Sequence, residues 1–266
     1  MAARGGSGSS MSKNFEVLER SMREQTGTGV TAEALAPGGL RPPPLAQPAS
    51  VPSRFRLPED VAEEYIKLKT NLVMVKTGTP IRLLTVASAK HGDGTTSVAT
   101  NLAIAYASDG THRVLLVDTS FHRPALHRVF RFPRDPGVTD LLVGSGPFEE
   151  ALRATSVPQL QVLTCGSPIG NPARLLETER LAAFLTFARE HFDVTIFDAS
   201  PILPYSDARV LATRTDGTLL VIQANHTQTS AVERSKRQLT TMGARVVGAV
   251  ISRQRHFVPE FLHDWV

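Results

Sequence analysis

A single cysteine, Cys165, stands in the 266 residues, which excludes an internal disulfide framework and suits a reducing compartment. No run approaches the roughly 18 consecutive apolar residues of a membrane span, and the N-terminus lacks the apolar core of a secretory signal. Cytoplasmic residence is therefore expected, with recruitment to an inner membrane only through a partner. Tyrosine is scarce as well: Tyr65, Tyr106 and Tyr205 are the only three, and none lies from Gln223 to Val266. Nor is there a large excess of one charge. The net charge is +4, and residues 1 to 56 account for most of it, with seven basic against four acidic side chains. The remainder is almost neutral, which disfavours a nucleic-acid surface.

What is present suffices for one sizeable α/β domain, since 41% of the residues are hydrophobic and 20% charged. Three stretches differ in texture. Residues 1–56 form a leader that is Gly/Ser-rich at its start and Pro-rich from Ala36 to Pro52, where the chain can neither pair in a sheet nor continue a helix. A disordered leader is expected, with one transient helix at Asn14 to Glu24 that places Phe15, Leu18 and Met22 at helical spacing. Residues 57–253 carry the domain, and 254–266 form a tail.

Within the domain, Pro58 to Leu72 reads as an amphipathic helix with acids in its first turn. Apolar, β-branched runs recur at Ile81–Ala87, Val114–Val117, Leu160–Leu163, Val194–Phe197, Gly217–Ile222 and Val246–Ile251, mostly separated by helical patterns. This alternation predicts an α/β fold with a mostly parallel sheet covered by helices on both faces. Ligands of such sheets lie beyond the carboxyl ends of the strands.

The first strand end holds the most informative segment, Ala87-Ser-Ala-Lys-His-Gly-Asp-Gly-Thr-Thr-Ser97. Strand, glycine turn and helix follow one another as in a phosphate-binding P-loop. Gly92 and Gly94 let the backbone curl so that N–H groups, with Asp93, Thr95 and Ser97 in the loop, surround an anion at the positive end of a helix dipole. Thr96 offers the hydroxyl that a magnesium ion would take. Thr95, however, occupies the place of the motif's lysine, so the ammonium that follows charge in phosphoryl transfer is missing. Lys90, five residues earlier, is a candidate substitute; a solvated loop lysine is the plainer reading.

Two further strands end in aspartates, Asp118 and Asp198. Either alone is equally a turn or capping residue. Together, and in order after the loop, they suggest magnesium-linked acids with a catalytic role. His112, His122 and His127 lack the spacing of a zinc site, His91 reads as a loop residue, and Cys165 reads as an inert buried thiol.

Over residues 58 to 253 the chain resembles the cytoplasmic domain of bacterial tyrosine kinases (BY-kinases), P-loop NTPase-like relatives of the ParA/MinD ATPases that act in exopolysaccharide and capsule production. Besides the loop, the resemblance rests on Val114–Pro124 with His127, Gly137–Gly144, Asn171–Glu177, Phe192–Asp198, and Asp207 to Ala212 with Asp216 to Ile222. It implies ATP and Mg2+ as cofactors, ATP being bound weakly or not at all, with Arg123 among the nucleotide-binding residues. The departures weaken catalysis: Thr95 for lysine, Ser120 for the second aspartate of an Asp-x-Asp motif, His122 for an arginine, and no tyrosine-rich stretch before Val266. The family's oligomerisation motif survives only as Glu63, Ile66 and Lys69, which leaves homo-oligomerisation open. The resemblance thus implies a degenerate kinase, or pseudokinase, or a nucleotide-dependent regulator whose partner is the cytoplasmic tail of a membrane-embedded polysaccharide co-polymerase. Two alternatives stay open: an active tyrosine autokinase using Lys90 or a partner's lysine, and a ParA/MinD-like positioning ATPase.

Overall fold

Side chains of a strand alternate between the two faces of a sheet, so a run that is apolar at every position is stable only with cover on both sides. Strands β1 (Leu83–Ser88), β2 (Val114–Thr119) and β5 (Val194–Ala199) are buried along their whole length. Leu83, Leu115, Val117 and Phe197 enter one core; Leu84, Val86, Val114, Leu116 and Ile196 enter the other. The computed structural model describes residues 58–75, 80–144 and 146–253.

These strands belong to a seven-stranded sheet of order β3-β4-β2-β5-β1-β6-β7, completed by β3 (Leu152–Ala154), β4 (Leu160–Leu163), β6 (Gly217–Gln223) and β7 (Val246–Ser252). Every pairing is parallel except that of β3 with β4. The six expected strands are present, and the fold is the expected P-loop NTPase-like α/β architecture. β3 was not anticipated: three half-buried residues directly after a 3₁₀ turn at Phe148–Ala151 are too short for a periodicity to show.

One face is covered by α1 (Glu59–Met74), α2 (Thr95–Ala107) and α3 (Leu126–Phe130), through Leu72, Leu102, Tyr106 and Phe130. The opposite face is covered by α4 (Val138–Val143), α5 (Pro172–Leu175), α6 (Glu179–His191), α7 (Asp207–Ala212) and α8 (Thr229–Thr241). Phe184 and Leu211 are nearly inaccessible there. α1 begins with Glu59 and Asp60 in its first turn, where carboxylates suit the helix dipole.

The motif segments that carried the resemblance have structural work in this fold. Val138 and Thr139 donate backbone N–H groups to Thr164 and Cys165, and the Thr139 hydroxyl donates to the Cys165 and Ser167 carbonyls. Asp140 accepts from the N–H groups of Gly137 and Ser167. Asn171 caps α5 by accepting the Arg174 N–H at 3.2 Å. The leader, its expected helix at Asn14–Glu24 and the tail of residues 254–266 lie outside the described residues. Among the described residues no helix is long and apolar enough to cross a membrane.

Candidate nucleotide-binding cleft

The loop after β1 is fixed by its own side chains before any ligand is considered. Gly92 and Gly94 have φ of 92° and 91°, a left-handed backbone that side chains with a Cβ rarely adopt. Asp93 is fully buried; its Oδ1 accepts the Thr227 hydroxyl at 2.8 Å and its Oδ2 the Lys90 N–H at 3.4 Å. Its carbonyl accepts the Ser252 hydroxyl at 2.6 Å. The Asp93 side chain, expected at the cofactor, is therefore turned into the fold and ties the loop to the chain after β6 and to the end of β7.

Thr95 opens α2, and no side chain caps that helix. Its first intrahelical bond runs from the Val98 N–H to the Gly94 carbonyl, so the N–H groups of Thr95, Thr96 and Ser97 have no partner within the helix. All three residues line a cleft of about 230 Å³ together with Lys90, Gly92 and Gly94. An anion is what this arrangement of N–H groups and helix dipole attracts.

β2 and β5 carry Asp118 and Asp198 in direct register. Asp118 is fully buried and does not line the cleft. Its Oδ1 accepts the Ser120 N–H at 3.1 Å, and its Oδ2 accepts those of Ala125 and Leu126, both at 2.9 Å. Besides the metal-linked role expected of it, Asp118 has a turn-holding one: three backbone donors bind its carboxylate and set the start of α3. Burial nevertheless raises its pKa to about 6.

Asp198 is the reverse case. It lines the cleft, is fully buried, and neither carboxylate oxygen has a hydrogen-bond partner. Burial, reinforced by the charge of Asp118, pushes its pKa well above the usual carboxylate range; the nearby Thr96 hydroxyl works against this without reaching hydrogen-bond geometry. An orphaned buried carboxylate beside a helix-terminal hydroxyl fits a hard divalent cation with oxygen ligands, so Asp198 and Thr96 are the side chains able to hold Mg2+. Among the described residues no cluster of three or more His, Cys, Asp or Glu side chains is placed to hold a metal.

Cations surround the opening. Lys90, Arg123 and Arg253 line it, and none of the three makes an ion pair among the described residues. Arg253 was missed in the sequence because it is the last residue of the domain, outside every motif; its place at the carboxyl end of a parallel strand was the available signal. His91 lines the cleft too, and its Nε2 lies 3.1 Å from the Tyr205 hydroxyl. Burial, then the Arg123 and His122 charges, lower its pKa. His122 stacks on Tyr205 with centroids 3.5 Å apart and lies 3.4 Å from buried Asp207. His112 pairs with Asp109, and His127 Nδ1 is buried without a partner. Burial pushes the Cys165 thiol up to about 12.

No protein-family profile matches the chain. Tyrosine-protein kinase YwqD of Bacillus subtilis is 30% identical over 194 residues, 73% of this chain and 81% of that protein. The kinase domain of Escherichia coli tyrosine kinase ETK superposes with a TM-score of 0.68 at 27% identity, over 73% of this chain and 77% of that one. The septum site-determining protein MinD of Pyrococcus horikoshii, solved with Mg-ADP, shares the fold alone, with a TM-score of 0.53 and 20% identity over 64% of this chain and 69% of that one. By its identity with YwqD over four-fifths of that kinase and the matching kinase-domain fold, the chain belongs to the bacterial tyrosine-protein kinase family.

Proposed function

We propose that this protein binds ATP with Mg2+ in the cleft and acts as a nucleotide-dependent, catalytically degenerate member of its family. In that role it regulates a membrane-embedded polysaccharide co-polymerase in exopolysaccharide or capsule production. The observation that carries this reading is the asymmetry of the cleft. Its phosphate cradle and one free carboxylate are intact, whereas the loop's cation position holds Thr95 and the second acid, Asp118, is bound by backbone donors.

Each part has a separate consequence. The N–H groups of the first turn of α2 hold phosphate oxygens. Thr96 and Asp198 hold the metal, which when bound neutralises phosphate charge. Charge that develops on a migrating phosphoryl group has no loop lysine to follow it, a loss of about 10³ or more in rate. Binding survives where turnover does not, which is the property of a switch.

An active tyrosine autokinase is the second reading, favoured by the cleft cations Lys90 and Arg123. The two are separated by incubating the protein with ATP, Mg2+ and the cytoplasmic tail of a candidate co-polymerase. The regulator reading expects nucleotide-dependent association with the tail and no phosphotyrosine on either chain. Phosphotyrosine that disappears with Asp198→Ala would establish the kinase instead.

A further inference from the structure

Thr95 leaves the loop without a cation at the start of α2, yet the cleft is not short of positive charge. Of the three rim cations without an ion pair among the described residues, Arg253 is the one that comes from outside the loop and directly follows a residue bonded to it beside the deficit. Ser252, the preceding residue, donates its hydroxyl to the Asp93 carbonyl at 2.6 Å. A Cβ on Gly94, the residue immediately before Thr95, would lie 3.4 Å from the same Ser252 oxygen. The Ser252 carbonyl accepts the Ala224 N–H at 3.0 Å, so the end of β7 is held from both sides. Arg253 then takes a φ of 54°, a left-handed turn that a residue with a Cβ adopts only when its surroundings hold it there. Arg253 lines the cleft with Gly92, Gly94, Thr96 and Asp198.

The other two cations are placed differently. Lys90 lines a second groove as well, against Arg234 and Arg237 of α8, and is not committed to the cleft. Arg123 extends from the turn after β2 and faces His91, whose pKa its charge lowers.

We infer that Arg253 supplies from β7 the phosphate-binding cation that the loop lacks at Thr95, making it a specificity-determining residue for the polyphosphate of the bound nucleotide. This deepens the nucleotide-binding reading above and rests on it. A guanidinium presents several N–H donors in a plane and matches phosphate oxygens two at a time, which lets it act from a strand end where a lysine would need the loop. Because the contact is to phosphate and not to the base, it discriminates ATP and ADP from adenosine.

The test is a titration of the full chain with fluorescent ATP and with adenosine, in Mg2+, for the wild type, Arg253→Ala, Arg253→Lys and Thr95→Lys/Arg253→Ala. Thermal melts without nucleotide serve as the folding check. Arg253→Ala is expected to weaken ATP about 10-fold to 100-fold while leaving adenosine and the melt unchanged. Arg253→Lys should recover part of the loss, and the double variant most of it. Unchanged ATP affinity in Arg253→Ala, with measurable binding by the wild type, overturns the inference and leaves the nucleotide reading standing. An equal loss of ATP and adenosine puts Arg253 on the base and overturns it too. No ATP binding by the wild type removes the nucleotide reading and the inference with it.

Discussion

Asp118 and Asp198 face each other in register on adjacent parallel strands, one carboxylate satisfied by three backbone N–H groups and the other by none. Two buried carboxyls this close do not both ionise readily, and the proton belongs on the side without donors. Burial and the Asp118 charge thus favour the protonated form of Asp198 in the free protein, and a cation bound there would favour the ionised one.

This pairing fixes the sign of a pH effect. Burial raises Asp118 from 3.8 to about 6, and burial with the Asp118 charge raises Asp198 well above its ordinary value, so the folded state prefers the protonated forms. Their contribution to stability is fully present below pH 3.8 and is lost as the pH climbs through about 6 and beyond. Asp198→Asn, which removes the charge and keeps the shape, should therefore stabilise the metal-free protein at pH 8 by roughly 1–3 kcal/mol and change little at pH 4. Denaturant melts at the two pH values check this; an equal effect at both would mean that the Asp198 charge is compensated in the fold.

Restoring the loop cation should act on the ligand and not on the fold. Thr95 lies in the first turn of α2 at the cleft, half-buried, with room for a longer side chain toward the opening. Thr95→Lys is expected to raise ATP affinity about 10-fold or more, measured by calorimetric titration, with an unchanged melt in the absence of nucleotide.

Asp93 tests whether the loop is preorganised. Removing its carboxylate in Asp93→Ala frees the Thr227 hydroxyl and the Lys90 N–H together, and should destabilise the protein by about 1–3 kcal/mol while weakening nucleotide binding. Thr227→Ala, far from the phosphates in sequence, should reproduce part of both effects. A normal affinity in both variants would show that the ligand, and not Asp93, shapes the loop.

Gly137 is constrained by space. A Cβ there would run into the backbone of Thr164 and Gly166, which is itself fixed by the Val138 and Thr139 hydrogen bonds. Gly137→Ala should cost about 3 kcal/mol in urea unfolding. By contrast Cys165, buried and with its thiol pushed up to about 12, should react with a thiol reagent at pH 8 only once the protein unfolds.

The sheet was legible in the sequence because β1, β2 and β5 are apolar on both faces, a pattern that only a covered parallel sheet satisfies. β3 left no such trace, since three residues paired antiparallel at an edge need no periodicity. The loop was legible as well, its glycines being required by backbone φ. Side-chain direction was not. Asp93 and Asp118 belong to motif positions yet bond backbone and hydroxyl donors, and which way each acid turns depends in part on donors well outside its motif, such as Ala125 and Thr227. Arg253 comes to the cleft at the end of β7, beside the Ser252 hydroxyl's bond to Asp93, a pairing 159 positions apart that no local pattern encodes.

That contact gives the edge of the sheet a mechanical meaning. β7 pairs with β6 alone, and its last residue bears directly on the phosphate loop through one short hydrogen bond. A displacement of the chain at Ser252 therefore bears on the Asp93 carbonyl directly, without passing through the core.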